Sequence, residues 1–319
     1  MATYNGEKYI IEQLNSIGNQ SQLPDELVVC DDNSQDKTVE LIEEFGKNVT
    51  FPIRLLRNNE NLGFVGTFNR ALEVATGDLV FLCDQDDFWF PNKIDHISEL
   101  AQANPEVNLF LNNAELTDGK LIPSGLSTFG QMESVGQDKN DLVLGCCMAL
   151  RKNFLSYFLP IPSRFSAHDI WLNEFSVIMG SKLLVPEILQ YYRRHAKNES
   201  SHIIYRLKKV NRLAYSLDYY KKLFYSNSID SLNKRIYETK MKIESIGRAI
   251  QISGVGNIKE LEARKNCWTK EVGILIKREE IAKKDFFSRL TWSTKLWKEG
   301  GYESGSGIKS CLKDIFGNK

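Results

Sequence analysis

Hydrophobic and polar residues along the first hundred positions predict helices and strands in alternation. Apolar residues recur at helical spacing in three segments, and three short apolar runs between them are typical of buried strands. The helical segments are residues 6–19, 36–45 and 65–75, and the strand segments are residues 26–30, 53–56 and 79–83. Such alternation indicates an α/β fold in which a mostly parallel sheet lies between helices.

The last third of the chain follows a different pattern. Apolar residues recur there three and four positions apart among charged residues, which predicts amphipathic helices. Residues 1–200 contain 16 Lys+Arg and 28 Asp+Glu, whereas residues 201–319 contain 25 and 13. We therefore predict two domains, an acidic α/β domain over residues 1–200 and a basic amphipathic helical region over residues 201–319. The basic region has three candidate partners: an anionic membrane surface, a phosphorylated acceptor, or the acidic domain itself.

Composition narrows the class of protein. The chain of 319 residues is 42% hydrophobic and 26% charged, as in ordinary globular proteins, and no apolar run approaches the roughly 20 residues that span a bilayer. Residues 1–7 lack the apolar core of a signal peptide. The six cysteines form no Cys-x-x-Cys pair, which argues against a zinc site and fits a reducing compartment. We expect a cytoplasmic protein without a nucleic acid partner.

An acidic cluster follows the strand predicted at residues 79–83. Asp84, Asp86 and Asp87 come directly after this run, at the sheet edge where open α/β proteins bind ligands. Carboxylates packed this closely repel each other unless a cation neutralises them, and Mg²⁺ or Mn²⁺ is the natural hard ion for oxygen ligands and substrate phosphates. A solvated acidic turn is the alternative interpretation.

A second acidic pair supports the metal interpretation. Asp31 and Asp32 follow the strand predicted at residues 26–30, so both clusters should lie on the same edge of the sheet. The sequence therefore predicts a site for a phosphorylated, nucleotide-linked substrate.

The ordered series of motifs resembles glycosyltransferase family 2, whose members have the GT-A fold. The resemblance covers residues 1 to about 200, and the pair His168 and Asp169 is similar to that of bacterial rhamnosyltransferase-type enzymes. The matching segments are Ala-Thr-Tyr-Asn-Gly at residues 2–6, Val-Cys-Asp-Asp-Asn-Ser at 29–34, Asn-Leu-Gly at 61–63, Asp-Gln-Asp-Asp at 84–87 with Trp89 and Pro91, His-Asp at 168–169, and Tyr-Arg-Arg-His at 192–195.

The resemblance implies roles for the donor-binding residues. Tyr4 would stack on the nucleotide base, with packing at the start of a helix as the alternative role. Asp32 would accept a hydrogen bond from the base, with capping of the following helix as the alternative. Asp84 would contact the ribose. Asp86 would bind the metal, and His195 would reach the metal or the diphosphate.

The resemblance also implies the residues of the reaction itself. Asp169 would be the catalytic base of an inverting transfer, taking the proton of the acceptor hydroxyl. His168, Trp89, Arg193 and Arg194 are further candidates for contacts with the diphosphate or the acceptor. The family more often has Glu than His at the position of His168.

These roles together imply an inverting, metal-dependent glycosyltransferase. The donor would be a dTDP- or UDP-sugar, with rhamnose as a candidate sugar, and the acceptor would be a glycan or lipid-linked hydroxyl used in cell-surface polysaccharide synthesis at the inner face of the membrane. Two alternatives stay open. A nucleotidyltransferase would need a glycine-rich, basic phosphate loop near the N-terminus, which the sequence lacks. An inactive binding or scaffold relic of the fold is the other alternative.

The start of the sequence departs from the family pattern. The family has an apolar strand before the Thr-Tyr-Asn segment, whereas Met1 directly precedes Ala2 and Thr3 here. We therefore expect the first strand to be missing through a late or truncated start, with exposed strand edges and a freed Tyr4 loop.

Overall fold

The computed structural model describes residues 1–196, 198, 202–225, 228–252, 254–303 and 307–316. It divides into two compact units, Met1–Tyr215 and Ser216–Lys319. The boundary falls later than the one we predict at residue 200, because residues 203–215 group with the first unit. The assignment of separate roles to the two segments stays a prediction.

The first half of the first unit contains a parallel three-stranded sheet in the order β1-β2-β3. All five residues of β2 are buried, as expected for a central strand covered on both faces. Ile10, Leu14 and Ile17, spaced three and four residues apart, are the buried face of α1. The elements are β1 (Ala2–Thr3), α1 (Ile10–Gly18), β2 (Leu27–Asp31), α2 (Thr38–Gly46), β3 (Ile53–Arg57) and α3 (Gly63–Val74).

The first strand is short rather than missing, which corrects the expectation from the sequence. Ala2 and Thr3 pair in parallel with Cys30 and Asp31 of β2. The backbone N–H of Ala2 also donates to the carbonyl of Cys83 at 3.4 Å. Strand β1 therefore lies between β2 and Cys83, which follows the strand Leu79–Phe81. The loops that follow these three strands consequently meet at one edge.

The second sheet of this unit has six strands of mixed direction, in the order β4-β8-β6-β9-β5 with β7 paired to β6. Strands β6 and β9 are parallel and the other pairings are antiparallel. The α/β class and the parallel sheet are thus confirmed, while the antiparallel pairings are an addition. The strands are β4 (Leu79–Phe81), β5 (Phe88–Trp89), β6 (Leu109–Thr117), β7 (Pro123–Ser127), β8 (Met148–Arg151) and β9 (Lys182–Arg193).

Four further helices belong to this part of the chain. Helix α7 begins at His168 as predicted, and its buried residues include Trp171, Leu172 and Phe175. Strand β9 is much longer than the strand predicted at residues 182–185, because it continues through Tyr192 and Arg193. The helices are α4 (Lys93–Ala103), α5 (Thr128–Val135), α6 (Lys152–Phe158) and α7 (His168–Ile178).

The second unit is helical, as predicted. Its core includes Ile281, Leu296, Tyr302, Cys311 and Ile315. Among the residues that the structure describes, no helix is both long enough and apolar enough to cross a membrane. The helices are α8 (Arg212–Tyr225), within which the boundary between the units falls, α9 (Ser228–Ala249), α10 (Ile258–Ala282), α11 (Phe286–Lys298) and α12 (Ile308–Phe316).

Candidate active site

The acidic loop of residues 84–87 follows β4 at the predicted sheet edge. Asp87 is fully buried there. Its carboxylate accepts hydrogen bonds from the backbone N–H of Arg193 at 3.1 Å and from Nε2 of Gln190 at 3.2 Å. Asp87 therefore anchors the loop to β9.

Burial and mutual repulsion disturb the ionisation of this loop. Burial, followed by the charges of Asp87, Asp86 and Asp169, raises the pKa of Asp84 well above its usual range. Burial, followed by the charge of Asp86, raises the pKa of Asp87 to about 7. The site thus collects more negative charge than the surrounding protein neutralises, which is the condition under which a bound cation is favoured.

Asp86 and His195 meet at the solvent-facing side of the loop. Oδ2 of Asp86 lies 2.7 Å from Nε2 of His195, and Nδ2 of Asn198 donates to the same oxygen at 3.3 Å. The His195 ring stacks on Tyr9 with 4.7 Å between centroids, which orients the imidazole. Carboxylate oxygen and imidazole nitrogen suit Mg²⁺ or Mn²⁺, so this predicted pair fits the ion.

A second group of ligand-type atoms lies deeper. Single ligand atoms of Asp84, Asp87 and Cys146 all lie within 4.8 Å of one another. Burial raises the pKa of the Cys146 thiol well above its usual range, so this sulfur stays protonated and is a poor ligand for a hard ion. The carboxylates of this group fit the ion and the thiol does not.

Asp169 lies in the first turn of α7 and faces the acidic loop. Its Oδ1 accepts the backbone N–H of Ile170 at 2.8 Å, and its Oδ2 accepts the N–H of Gly145 at 3.2 Å. These two backbone bonds hold the carboxylate in place while it stays partly accessible. The charge of Asp169 acts on Asp84, so the predicted base and the predicted donor site lie close together.

His168 is enclosed rather than open to a ligand. Its ring stacks on Phe68 with 3.9 Å between centroids, and a Cβ atom at Gly145 would lie 2.9 Å from its Nε2. Within the described part of the chain, neither ring nitrogen has a hydrogen-bond partner. Burial lowers the pKa of His168 to about 4, so the ring is neutral at pH 7. A direct contact with diphosphate or acceptor stays a prediction that this packing does not favour.

The Tyr4 loop is held rather than freed, which corrects the second part of the expectation about the N-terminus. The backbone N–H of Tyr4 donates to Oε1 of Gln85 at 2.9 Å, and Nε2 of Gln85 donates to the carbonyl of Tyr4 at 3.0 Å. The Tyr4 ring is 47% exposed and available for stacking. A Cβ atom at Gly6 would lie 2.1 Å from Oε1 of Gln85, so a larger residue there would displace the amide that holds Tyr4.

Asp32 is buried and caps a helix. Its Oδ1 accepts Nδ2 of Asn58 at 2.7 Å and the N–H of Leu62 at 2.8 Å, and its Oδ2 accepts the N–H of Gly63 at 2.9 Å. The alternative role of capping the following helix, α2, is therefore wrong, because these contacts hold the start of α3 instead. A bond from the nucleotide base to Asp32 stays a prediction.

Two of the other candidates are enclosed by protein. Arg193 is 1% exposed, and its guanidinium donates to the carbonyls of Asp86 at 2.6 Å and Gly119 at 3.0 Å and pairs with Glu12. Trp89 is 3% exposed and belongs to the core beside α1. Both positions favour support of the acidic loop over contact with substrate.

Arg194 lies at a cavity beside the site. Its Nη1 donates to the Tyr192 hydroxyl at 3.0 Å. The cavity has a volume of about 370 Å³ and a basic lining. Its lining residues are Arg194, His195, His202, Tyr205, Arg206 and Leu207. Of the two arginines in the motif, Arg194 is therefore the one placed to meet an anionic ligand.

Gln85, Gln190 and Lys93 support the site without having been predicted. The ammonium of Lys93 is buried, donates to the carbonyl of Cys146 at 3.1 Å and to the side chain of Gln190, and lies 4.1 Å from the centroid of the Trp89 ring. Gln190 in turn holds Asp87. Gln85 lies inside the acidic motif, so the sequence could have suggested a role for it. The contact between Lys93 and Gln190 could not be predicted in this way, because the two residues are far apart in sequence.

Comparisons with known proteins agree with this arrangement. Residues 1–158 match the family described as "Glycosyl transferase family 2". An uncharacterised glycosyltransferase of Nostoc sp. is 27% identical over 216 residues, which are 62% of this chain and 64% of that protein. The dTDP-rhamnosyl transferase RfbG of Shigella flexneri is 28% identical over 233 residues, which are 67% of this chain and 78% of the relative. The chain spans 57 to 64% of the length of the first curated relatives that it matches.

A solved structure shares the fold. S. aureus TarS 1-349, crystallised in complex with UDP-GlcNAc, superposes with a TM-score of 0.55 at 16% identity, covering 98% of this chain and 80% of that chain. At this identity the likeness concerns the fold alone. The family match identifies residues 1–158 as a glycosyl transferase family 2 domain, and the structural likeness supports its fold, which is GT-A.

Proposed function

We propose that the chain transfers a sugar from a nucleotide-diphosphate donor to a hydroxyl group, with inversion and with the help of a divalent cation. The observation that carries this proposal is the convergence of Asp84, Asp86, Asp87 and Asp169 at the carboxyl edge of a family 2 domain, with raised pKa values for Asp84 and Asp87. A divalent cation bound at this edge would offset the buried negative charge and would also bind the phosphates of the donor.

The donor nucleotide is assigned to the loops after β1, β2 and β4. The exposed Tyr4 ring would stack on the base, and Asp84 would accept a hydrogen bond from the ribose. Asp32 would bind the base only through a lone pair left over from its three bonds to protein groups. Catalytic work is assigned to residues 1–200 and a supporting role to residues 201–319.

Asp86 and His195 would hold Mg²⁺ or Mn²⁺ beside the donor diphosphate. When bound, such an ion offsets the negative charge that gathers on the leaving nucleotide diphosphate. Arg194 at the neighbouring cavity adds a fixed positive charge near the same place. Arg193 and Lys93 keep the acidic loop in position from beneath.

Asp169 is the proposed base. Inverting transfer requires a carboxylate that takes the proton of the acceptor hydroxyl as the oxygen attacks the anomeric carbon from the side opposite the leaving group. The backbone bonds from Gly145 and Ile170 fix both oxygens of Asp169 and leave lone pairs for that proton. Because the buried His168 ring beside it is neutral, Asp169 forms no ion pair with that ring.

The family relatives suggest the substrates. The Shigella relative is named for dTDP-rhamnose, and an Escherichia coli relative, 33% identical over 123 residues, is named for UDP-glucose and a diphosphoundecaprenol-linked acceptor. We therefore propose a dTDP- or UDP-sugar donor and a glycan or lipid-linked acceptor of polysaccharide synthesis. The reaction would take place in the cytoplasm at the inner membrane surface.

The test is a panel of nucleotide sugars scored with and without Mn²⁺ for thermal stabilisation and for sugar release or transfer. One donor should stabilise the protein only when the cation is present. Asp169→Asn should keep this stabilisation and lose about 10²- to 10⁴-fold in turnover, because it removes the base and not the donor site.

Two further variants complete the test. Asp86→Asn should lose the cation dependence, while Asp95→Asn, a matched change in the partly exposed face of α4, should behave as the unaltered protein. A protein that no donor stabilises and that releases no sugar would favour the inactive scaffold instead. Transfer of a nucleotidyl group rather than a sugar would identify a nucleotidyltransferase.

A further inference from the structure

Helices α11 and α12 each carry an exposed apolar stripe. Phe286, Leu290 and Trp297 are spaced at helical intervals along α11, and Ile308, Leu312 and Phe316 are spaced four residues apart along α12. All six are at least 41% exposed, and Phe287, beside the first stripe, is 78% exposed. We call this set the aromatic face: Phe286, Phe287, Leu290, Trp297, Ile308, Leu312 and Phe316.

The two stripes of the aromatic face meet at one end. The Phe286 ring lies 5.8 Å from that of Phe316 and 5.6 Å from that of Phe287, so the start of α11 meets the end of α12. The helices use a different side for their core, where Leu296, Cys311 and Ile315 are buried. The stripe is therefore not needed to hold the helices together, and a contiguous exposed apolar patch of this kind marks an interaction site.

Lysines lie beside the two apolar stripes. Lys298 follows Trp297 and is exposed, and Lys309 and Lys313 each follow an apolar residue of the α12 stripe. The rim thus combines aromatic rings with positive charge.

The acidic residue of α12 points the other way. Asp314 is 1% exposed, and its carboxylate accepts both guanidinium bonds of Arg278 and the hydroxyl of Tyr302. Its charge is paired with Arg278 inside the unit. The carboxylate of α12 therefore lies on the buried side of that helix, with Cys311 and Ile315, and not on the side of Ile308, Leu312 and Phe316.

We propose that the aromatic face binds an anionic lipid bilayer, with its rings at the boundary between headgroups and acyl chains and its lysines among the anionic headgroups. Aromatic residues with a lysine rim are characteristic of helices that lie in this boundary without crossing the bilayer. A second copy of the chain is a poorer occupant, because a symmetric contact would bring the lysines of both copies together. The inference rests on the proposed function in one respect only, namely that lipid binding would bring the active site to a lipid-linked acceptor.

Vesicle flotation of the full chain tests the proposal. Binding should be strong to phosphatidylcholine vesicles that contain phosphatidylglycerol, weak to phosphatidylcholine alone, and reduced by salt. Phe287→Ser combined with Phe316→Ser should lower the partition coefficient by about tenfold or more, since both rings leave the lipid. Lys298→Gln should lower it about fivefold on anionic vesicles alone.

A matched variant and a second measurement distinguish lipid binding from other effects of the substitutions. Leu213→Ser changes a leucine of α8 that is 68% exposed and lies outside the aromatic face, and should leave vesicle binding unchanged. Equal binding of the double Phe variant and the unaltered chain would overturn the proposal, as would a wild-type chain that floats with neither vesicle. A change in sedimentation coefficient without a change in vesicle binding would show a protein interface instead.

Donor stabilisation measured without vesicles separates this inference from the proposed function. The aromatic-face variants should keep the Mn²⁺-dependent stabilisation of the unaltered chain, because the substitutions are in exposed positions outside the catalytic residues. If the unaltered chain binds vesicles but shows no Mn²⁺-dependent stabilisation by any donor, the proposed function is contradicted and the lipid-binding proposal is not.

Discussion

Asp87 in the first unit and Asp314 in the second are both buried, but Asp314 lies beside an arginine and Asp87 lies beside another carboxylate. Asp314 accepts two bonds from the Arg278 guanidinium, at 2.7 and 3.0 Å, and a third from the Tyr302 hydroxyl at 2.8 Å. Asp87 accepts bonds from a backbone N–H and from the Gln190 amide, and lies beside the carboxylate of Asp86. The charge of Asp314 is matched by an adjacent guanidinium. Asp87 is met by neutral donors and by a carboxylate, and the Lys93 ammonium adds only a weaker attraction.

The difference separates a structural acid from a functional one. A buried carboxylate with a bidentate arginine needs nothing further and organises the helices around it. A buried carboxylate among other carboxylates is stable only when protonated or when a cation binds nearby. The helical unit therefore pairs its buried charge on folding, whereas the acidic loop keeps carboxylates that repel one another.

Removing the arginine should produce the largest effect on stability. Arg278→Met leaves Asp314 buried without its cation, so the free energy of unfolding of the helical unit should fall by about 3–5 kcal/mol. Hydrogen exchange of the α10 and α12 amides measures this locally. Lys277→Met, which removes an exposed pair with Glu299, is the matched control and should cost less than about 1 kcal/mol. Equal effects of both variants would contradict the contrast.

The buried imidazole of His168 should make stability depend on pH. Burial lowers the pKa of His168 to about 4 from 6.5, so the unfolded chain takes up a proton below pH 6.5 that the folded chain accepts only near pH 4. Stability should therefore fall by about 3 kcal/mol as the pH drops through this range. Urea unfolding of the unaltered protein and of His168→Leu would show it, since the difference between the two should shift with pH. A difference that stays constant would refute this origin.

Asp87→Asn should stabilise the protein where Asp314→Asn destabilises it. The folded pKa of Asp87, about 7, lies above the unfolded value of 3.8, so its stabilising contribution is complete below pH 3.8 and is lost as the pH rises to 7. Asparagine removes the ionisation penalty of about 4 kcal/mol and weakens the bond from Gln190, for a net gain of about 2 kcal/mol above pH 7. The gain should vanish near pH 4.

Urea unfolding without divalent cation, at pH 4 and at pH 7.5, checks this prediction. Asp95→Asn serves again as the neutral reference. Destabilisation of Asp87→Asn at both pH values would mean that its hydrogen bonds outweigh its charge, and the distinction between the two aspartates would then fail.

The smallest effect should come from an exposed ion pair. Nη2 of Arg235 lies 2.7 Å from Oε1 of Glu271, and the Arg235 side chain is 46% exposed. Arg235→Gln should change the free energy of unfolding by at most about 1 kcal/mol, and raised salt should reduce the difference. A larger effect would show that compensation at the surface matters as much as compensation in the interior.

Much of the fold of the first hundred residues follows from periodicity. The three helices and three strands predicted there all occur, because each buries a single face or a single apolar run. Strand β6 and the long course of β9 were not predicted. Strand β9 contains Pro186 and Glu187 between its apolar segments, which interrupt the pattern, and its pairing with β6 shifts register at Asn113.

The site was predictable where it depends on strand ends. Asp32 and the acidic loop of residues 84–87 follow strands β2 and β4, whose ends the sequence predicts at one edge of the sheet. Asp169 and the proximity of Asp86 to His195 lie where the resemblance suggested. The enclosure of Arg193 and His168 was not predictable, because it depends on which side chains from distant segments pack around them. Roles that rest on substrate contact stay predictions.

One amide connects the two halves of the donor site. Gln85 lies between Asp84 and Asp86 in the chain, and its side chain grips both backbone groups of Tyr4. A displacement of the tyrosine segment is therefore transmitted mechanically to the carboxylates on either side of the glutamine. Recognition of the nucleobase and grip on the pyrophosphate would then be a single concerted event, and a sugar phosphate without its base would engage the site incompletely.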